Sequence, residues 1–386
     1  SGKVSVCLSL PYPSGKHADA ATDWGNEDKH ASRIIKRTGK SALLEHIIDS
    51  TRYYVLIQWE GSAKLVHEST HSYALIPNGK TLNVRVEYKE LQPETQGFSF
   101  AKSVIEVQKF WNSWWETGAF VDFGDCKVVR AKELERRTVL SQYLTFINCA
   151  NETPAQETGL TYNSWFGRPH LEMTWWHTID FSLWNRPEVL ETMLEWYNDK
   201  AYPEAKKIAE RQNFKGIRWM KMTDPWAGES PSNVGSFLTW QQPHYIYMAE
   251  EMWRNVCAKP GVTENEKKAI IAKYGKNVEE TAEFLYDFAK SCDHNTAMQE
   301  SMSKDFSYCH PFEQVYFKYG LMKAQEWRER SGKQRREDWD EVIRLLASIP
   351  QSEDIYTAGI PTQPFIIADS ASQNAGNVAF DPFNYG

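Results

Sequence analysis

The sequence contains no Cys-x-x-Cys pair and no His-Glu-x-x-His run, so neither a zinc knuckle, a thioredoxin-like centre nor a zincin helix is written in it. Its six cysteines, Cys7, Cys126, Cys149, Cys257, Cys292 and Cys309, lie far apart and read as separate thiols, most of them buried. They do not decide the redox compartment, and a secreted or periplasmic location is only the working expectation. No apolar run is long enough to span a bilayer and Ser1-Gly-Lys-Val-Ser-Val carries no signal core, so no membrane partner is expected. Positive charge is not in excess. The 44 Lys+Arg stand against 51 Asp+Glu, a net charge of −7, and no basic stripe interleaves with aromatics, which argues against a nucleic-acid partner. A Gly-rich anion cradle and a Gly-x-Ser-x-Gly elbow are missing too, so neither phosphate as a co-substrate nor a serine nucleophile is favoured, and no cofactor is expected. No fixed-period repeat appears.

What is present is an ordinary globular balance, 25% charged and 41% hydrophobic, in a chain of 386 residues, long enough for more than one domain. Residues 1–96 read as β-rich and sandwich-like. Val4 to Leu10 and Leu82 to Tyr88 alternate, Tyr53 to Trp59 is β-branched and aromatic, and Pro77-Asn78-Gly79 marks a turn. Pro93 and Gly97 punctuate a linker, after which the period changes from two to 3.6. Helices are then expected over Phe100–Trp115, Ala131–Cys149, His170–Trp184, Pro187–Tyr197, Glu204–Gln212, Gln241–Val256, Glu264–Ser291, Phe312–Arg330 and Glu337–Ser348. Residues 97–350 therefore form a helical domain, and 351–386 an irregular C-terminal segment.

Aromatic content is the unusual quantity: 13% of the chain, with 16 Trp. Nine of these fall between Trp165 and Trp253, among His170, Glu172, His177, Asp180, Asp224, Glu229, Gln241, Gln242 and His244. A sugar offers C–H faces that stack on indole and hydroxyls that need carboxylate, amide and imidazole partners, so the mixture suits a carbohydrate. The competing reading is Trp-rich core packing. The candidate binding residues are Trp165, His170, Glu172, Trp175, Trp176, His177, Asp224, Glu229, Gln241 and His244.

Arg168-Pro-His-Leu-Glu-Met-Thr-Trp-Trp176 resembles the segment by which bacterial α-1,2-fucosidases enter an inner barrel helix. Arg186-Pro-Glu-Val-Leu-Glu191, Ala205 through Trp219, Gly228-Glu229 and Trp240-Gln-Gln-Pro-His244 follow in the order found in the six-hairpin glycosidases, a layout shared by maltose and kojibiose phosphorylases. The resemblance covers about residues 98–350. It implies a mainly α fold, an (α/α)6 toroid behind part of a β-sandwich, and an inverting glycoside hydrolase acting on an oligo- or polysaccharide. It further implies that the loop Thr296-Ala-Met-Gln-Glu-Ser301 carries the general acid, Glu300, a carboxyl kept protonated by a partly dehydrated pocket. Related chains continue further, so this one is read as a fragment of such an enzyme, an incomplete toroid whose catalytic base lies outside the sequence. Where the fucosidase pattern has water-activating asparagines this sequence has Arg168 and His170, so fucose specificity does not carry over.

Other readings stand beside the hydrolase: a noncatalytic carbohydrate-binding protein, an inactive fragment, and a phosphate-dependent disaccharide phosphorylase. A metal enzyme using His170, Glu172 and His177 is disfavoured by the spacing, and no metal ligand is assigned. Oligomeric state is not legible.

Overall fold

A computed structural model of the chain describes residues 4–14, 22–94, 97–230, 232, 235, 238–294, 311–346, 351–352 and 355–356. Its contacts divide it into two compact units, Ser1–Ala119 with Thr161–Gly167, and Phe120–Leu160 with Arg168–Gly386.

The first unit carries β1 (Val6–Ser9), β2 (His30–Arg37), β3 (Ser41–Ile48), β4 (Thr51–Glu60), β5 (Ala63–Ser69), β6 (Ser72–Pro77) and β7 (Asn83–Lys89). They form two antiparallel sheets, ordered β1-β6-β5 and β2-β3-β4-β7. Ala42, Leu44, Val55, Ile57 and Trp59 of one sheet share a core with Leu65, Tyr73 and Leu75 of the other, as two facing sheets require. Of these, β1 and β7 are expected from alternation and β4 from its β-branched and aromatic residues, while β2, β3, β5 and β6 are additional. In β3 the six residues Ser41 to His46 are all buried, so the hydrophobic alternation of a half-buried strand is absent. Glu45, 4% exposed, is held there by Arg33 at 2.5 Å and Arg52 at 3.2 Å, on the face opposite Leu44. Helix α1 (Phe100–Glu116), whose first turn donates from Lys102 N to the Ser99 hydroxyl, groups with the strands.

The second unit is helical: α2 (Ala131–Cys149), α3 (Leu171–Leu183), α4 (Pro187–Trp196), α5 (Tyr202–Arg211), α6 (His244–Ala258), α7 (Glu264–His294), α8 (Pro311–Arg330) and α9 (Glu337–Leu345). A short antiparallel pair, β8 (Gln351–Ser352) and β9 (Ile355–Tyr356), follows. Helices α4 and α5 are joined by a π-helical stretch, Tyr197–Ala201, where two separate helices are expected from sequence. Pro203, in the first turn of α5, has no N–H to give the α ladder, and the wider turn before it absorbs the break. At the start of α7 the Glu266 carboxylate accepts from Thr263 N at 2.8 Å while Glu266 N donates to the Thr263 hydroxyl at 3.2 Å, a reciprocal capping box.

Helix α3 packs on α4 and α6, α6 on α7 and α8, and α7 on α8 and α9. Trp175, Leu190, Trp219, Tyr245, Phe284, Leu321 and Trp339 lie in the resulting core. No helix among the described residues is long and apolar enough to cross a membrane.

Candidate functional site

The entrance to α3 is built by three stretches of chain. Residues 217–223, between α5 and α6, are all buried. They are pinned at one end by Gln242, whose amide accepts from Trp219 N and donates to Trp219 O, both at 2.8 Å. At the other end Leu171 N donates to Lys221 O at 2.8 Å and Thr223 N to Pro169 O at 3.0 Å. His170 N donates to Ala155 O at 3.2 Å, which brings in the loop after α2.

This arrangement delivers Lys221 Nζ to within 3.1 Å of Glu172 Oε1, with only 7% and 12% of the two side chains exposed. Glu172 lies in the first turn of α3, where the helix dipole favours negative charge. Burial nevertheless wins and holds its carboxyl above the usual range, despite the opposing pull of Lys221. Glu157, in the loop after α2, is raised in the same direction by burial and then by the Glu172 charge. Its Oε2 is buried and has no hydrogen-bond partner among the described residues. His177 donates from Nε2 to the Glu157 carbonyl at 3.1 Å, which fixes the loop on α3. Burial depresses the His177 imidazole, so it is a neutral tie between these segments.

The first turn of α6 adds the aromatic side. His244 donates from Nε2 to the Glu172 carbonyl at 3.0 Å, since a carbonyl only accepts, and so Nδ1 accepts from the Tyr316 hydroxyl at 2.7 Å. Full burial pushes this imidazole down to about 3. It is neutral at working pH and positions α3, α6 and α8 relative to one another. Around its ring stand Trp176 at 5.8 Å, Trp240 at 5.2 Å and Trp175 at 6.4 Å between centroids, and Trp176 meets Trp240 edge-on at 5.6 Å. Trp175 belongs to the core at 3% exposure, whereas Trp176 and Trp240 are only half-buried. Gln241 is 2% exposed, and neither its Oε1 nor its Nε2 has a partner among the described residues.

Glu172, Trp175, Trp176 and His244 are thus brought together, with His177 alongside through Glu157. Two other candidates have local duties. Asp224 Oδ1 accepts from Trp226 N and Gly228 N at 2.9 and 2.8 Å and closes its own turn, which also holds Ala227 at a left-handed φ of 70°. Glu229 pairs with the exposed Arg211 at 2.6 Å. His170 is fully buried at the α3 N-terminus, its Nδ1 donating to Arg168 O at 2.9 Å. Trp165 starts a 3-10 turn in the first unit. Glu300 lies outside the described residues.

Sequence reading missed Lys221 and Glu157, and passed over Trp240 although it quoted the segment that contains it. Lys221 stands in Trp219-Met-Lys-Met222, where a charge inside an apolar run was the available signal. Glu157 carries no such mark, because its place depends on how a loop folds back onto α3.

By sequence, no protein-family model and no curated protein matches the chain. By structure it is similar to a solved protein assigned as a kojibiose phosphorylase, from the human microbiome. The match has a TM-score of 0.57 and 11% identity, and it covers 92% of this chain and 51% of the other. The chain therefore spans about half the length of that protein, and the likeness is one of fold, a β domain and a helical domain.

Proposed function

We propose that the helical unit belongs to an (α/α)6 toroid that binds a carbohydrate and acts on its glycosidic bond, by hydrolysis with inversion. The observation that carries this reading is the half-buried pair Trp176 and Trp240, joined through His244 to the buried Glu172–Lys221 pair. Indole faces take the C–H side of a pyranose, and the carboxylates, the ammonium and the Gln241 amide supply partners for its hydroxyls. In this reading Glu172 and Glu157 accept from sugar hydroxyls and Lys221 donates to them. Glu300 supplies the proton to the leaving oxygen, as the sequence resemblance implies. An inverting reaction also needs a second carboxylate that activates water across the ring, roughly 6.5–9.5 Å from the acid. Asp224 and Glu229 are engaged in a turn and in an ion pair, so neither is assigned that role.

The test is incubation with a panel of α- and β-linked oligosaccharides, with sugar release followed with and without inorganic phosphate. Release that needs no phosphate and is abolished by Glu300→Gln supports the hydrolase. Binding that is lost in Trp176→Ala, with no release under either condition, assigns a glycan-binding role. The fold of the kojibiose phosphorylase favours a second reading, phosphorolysis, in which phosphate replaces the water and its base. Release that depends on phosphate supports it.

A further inference from the structure

The β-sandwich ends in a polar group that neither its packing nor the proposed chemistry uses. On β2 the inward positions are His30, Ser32 and Ile34, and on β3 they are Ala42, Leu44 and His46, so the apolar core passes at one end into imidazole. His71, from the turn between β5 and β6, closes the group from the other sheet. His46 is 0% and His71 4% exposed, and His30 is half-buried. One ring nitrogen from each lies within 4.8 Å of the other two.

Hydrogen bonds fix which nitrogens hold protons. His71 Nε2 lies 2.8 Å from the Glu27 carbonyl and must donate to it, which leaves Nδ1 with a lone pair. The Ser32 hydroxyl, 2.8 Å away, donates to that lone pair, and therefore accepts from His46 Nδ1 at 2.6 Å. His46 Nε2 is left as a lone pair facing His30 Nδ1 at 3.2 Å. Two nitrogens held about 3.3 Å apart form one edge of a tetrahedron with metal–nitrogen bonds near 2.0 Å. The ties from His71 to a backbone carbonyl and from His46 to a hydroxyl are those that orient metal-binding imidazoles from behind. The Glu27 carboxylate adds negative charge beside His30.

We propose that His30, His46 and His71 bind one divalent cation of the zinc class, through His30 Nδ1, His46 Nε2 and His71 Nδ1, with a fourth position left to water. Imidazole ligands select zinc, cobalt, nickel or copper over magnesium. Binding needs two local changes. His30 shifts its proton from Nδ1 to Nε2, a tautomer change that keeps the ring neutral, and turns out of its 3.6 Å stack on His71 so that both rings can point at one ion. The Ser32 hydroxyl swings away from His71 Nδ1. Ser32 is thus a competitor for the ligand atom, not a ligand.

The experiment is titration of the full chain, stripped with a chelator, with Zn2+ against a chromophoric competitor, and with Co2+ followed by visible absorption. One Zn2+ per chain is expected, with a four-coordinate Co2+ spectrum free of thiolate charge-transfer bands and a raised melting temperature that Mg2+ does not reproduce. His30→Gln, on the half-buried ring, weakens Zn2+ binding by about tenfold or more, whereas Ser32→Ala leaves it intact or tightens it. Circular dichroism checks that both variants are folded. Three results overturn the site: no stoichiometric Zn2+ on the folded protein, equal binding by wild type and His30→Gln, or a thiolate band that places the ion on the exposed Cys7, Cys126 or Cys257.

Discussion

Lys221 and Glu172 face each other at 3.1 Å in a site that leaves both side chains almost dry. A pair of this kind adds little over an apolar replacement, but removing one partner strands the other charge. Lys221→Met should therefore destabilise the helical unit by about 3 kcal/mol at neutral pH, with part of the loss recovered at acid pH as Glu172 takes up a proton. Adding Glu172→Gln to Lys221→Met should restore much of the difference. Urea denaturation of the single and double variants at two pH values measures this directly. Equal costs for the single and the double variant would show that the pair is not coupled.

A second buried acid gives a pH dependence of opposite sense to the usual carboxylate. Burial raises Asp180, on α3, from 3.8 to about 6, and its Oδ1 has no partner among the described residues. Such a group keeps its proton longer in the folded chain than in the unfolded one. Its contribution to stability falls as pH rises from about 4 to about 6 and is then constant, a total of about 3 kcal/mol. Asp180→Asn removes the charge, so the variant should match wild type near pH 4 and exceed it above pH 6. A constant offset between the two melting curves across that range would contradict the assignment.

The helices were legible because their information is local. Apolar period places α2, α7 and α9 from sequence, and the Thr263–Glu266 box can be read as a pattern of letters. The buried strand β3 was not, because apolar residues on both faces erase the alternation. Within the site, Glu172, Trp176 and His244 could be named since they share dense motifs. Lys221, Glu157 and the His30–His46–His71 group could not, because long-range hydrogen bonds assemble them from separate strands and loops.

Gly216 tests the seating of the buried segment that carries Lys221. It has a φ of +72°, and a Cβ there would run into the carbonyl of Glu280 on α7. The same region places Ile217 N on Glu280 O at 3.1 Å. Gly216→Ala combines backbone strain with a clash against helix backbone, so a loss of about 3 kcal/mol is expected. The displacement should also be felt at Lys221. Chemical denaturation reads the stability, and an unchanged midpoint would show that α7 yields instead.

The two neighbouring glutamines make the sharpest contrast in the site. Gln242 spends both ends of its amide on Trp219, whereas Gln241, equally buried, finds a partner for neither among the described residues. An amide buried without partners costs about 1–3 kcal/mol, and an apolar side chain of similar size at that place does not incur the penalty. Gln241→Leu should therefore make the free protein more stable by about 1 kcal/mol, while Gln242→Leu should make it less stable by freeing the Trp219 backbone. If the Gln241 amide is kept for a sugar hydroxyl, the stabilised variant will bind oligosaccharide more weakly than wild type, the same direction expected of Trp176→Ala. Thermal melting and isothermal titration with the oligosaccharide identified by the panel separate the two effects. A Gln241→Leu protein that is less stable, or that binds the sugar as well as wild type, would show that the amide has a purely structural task.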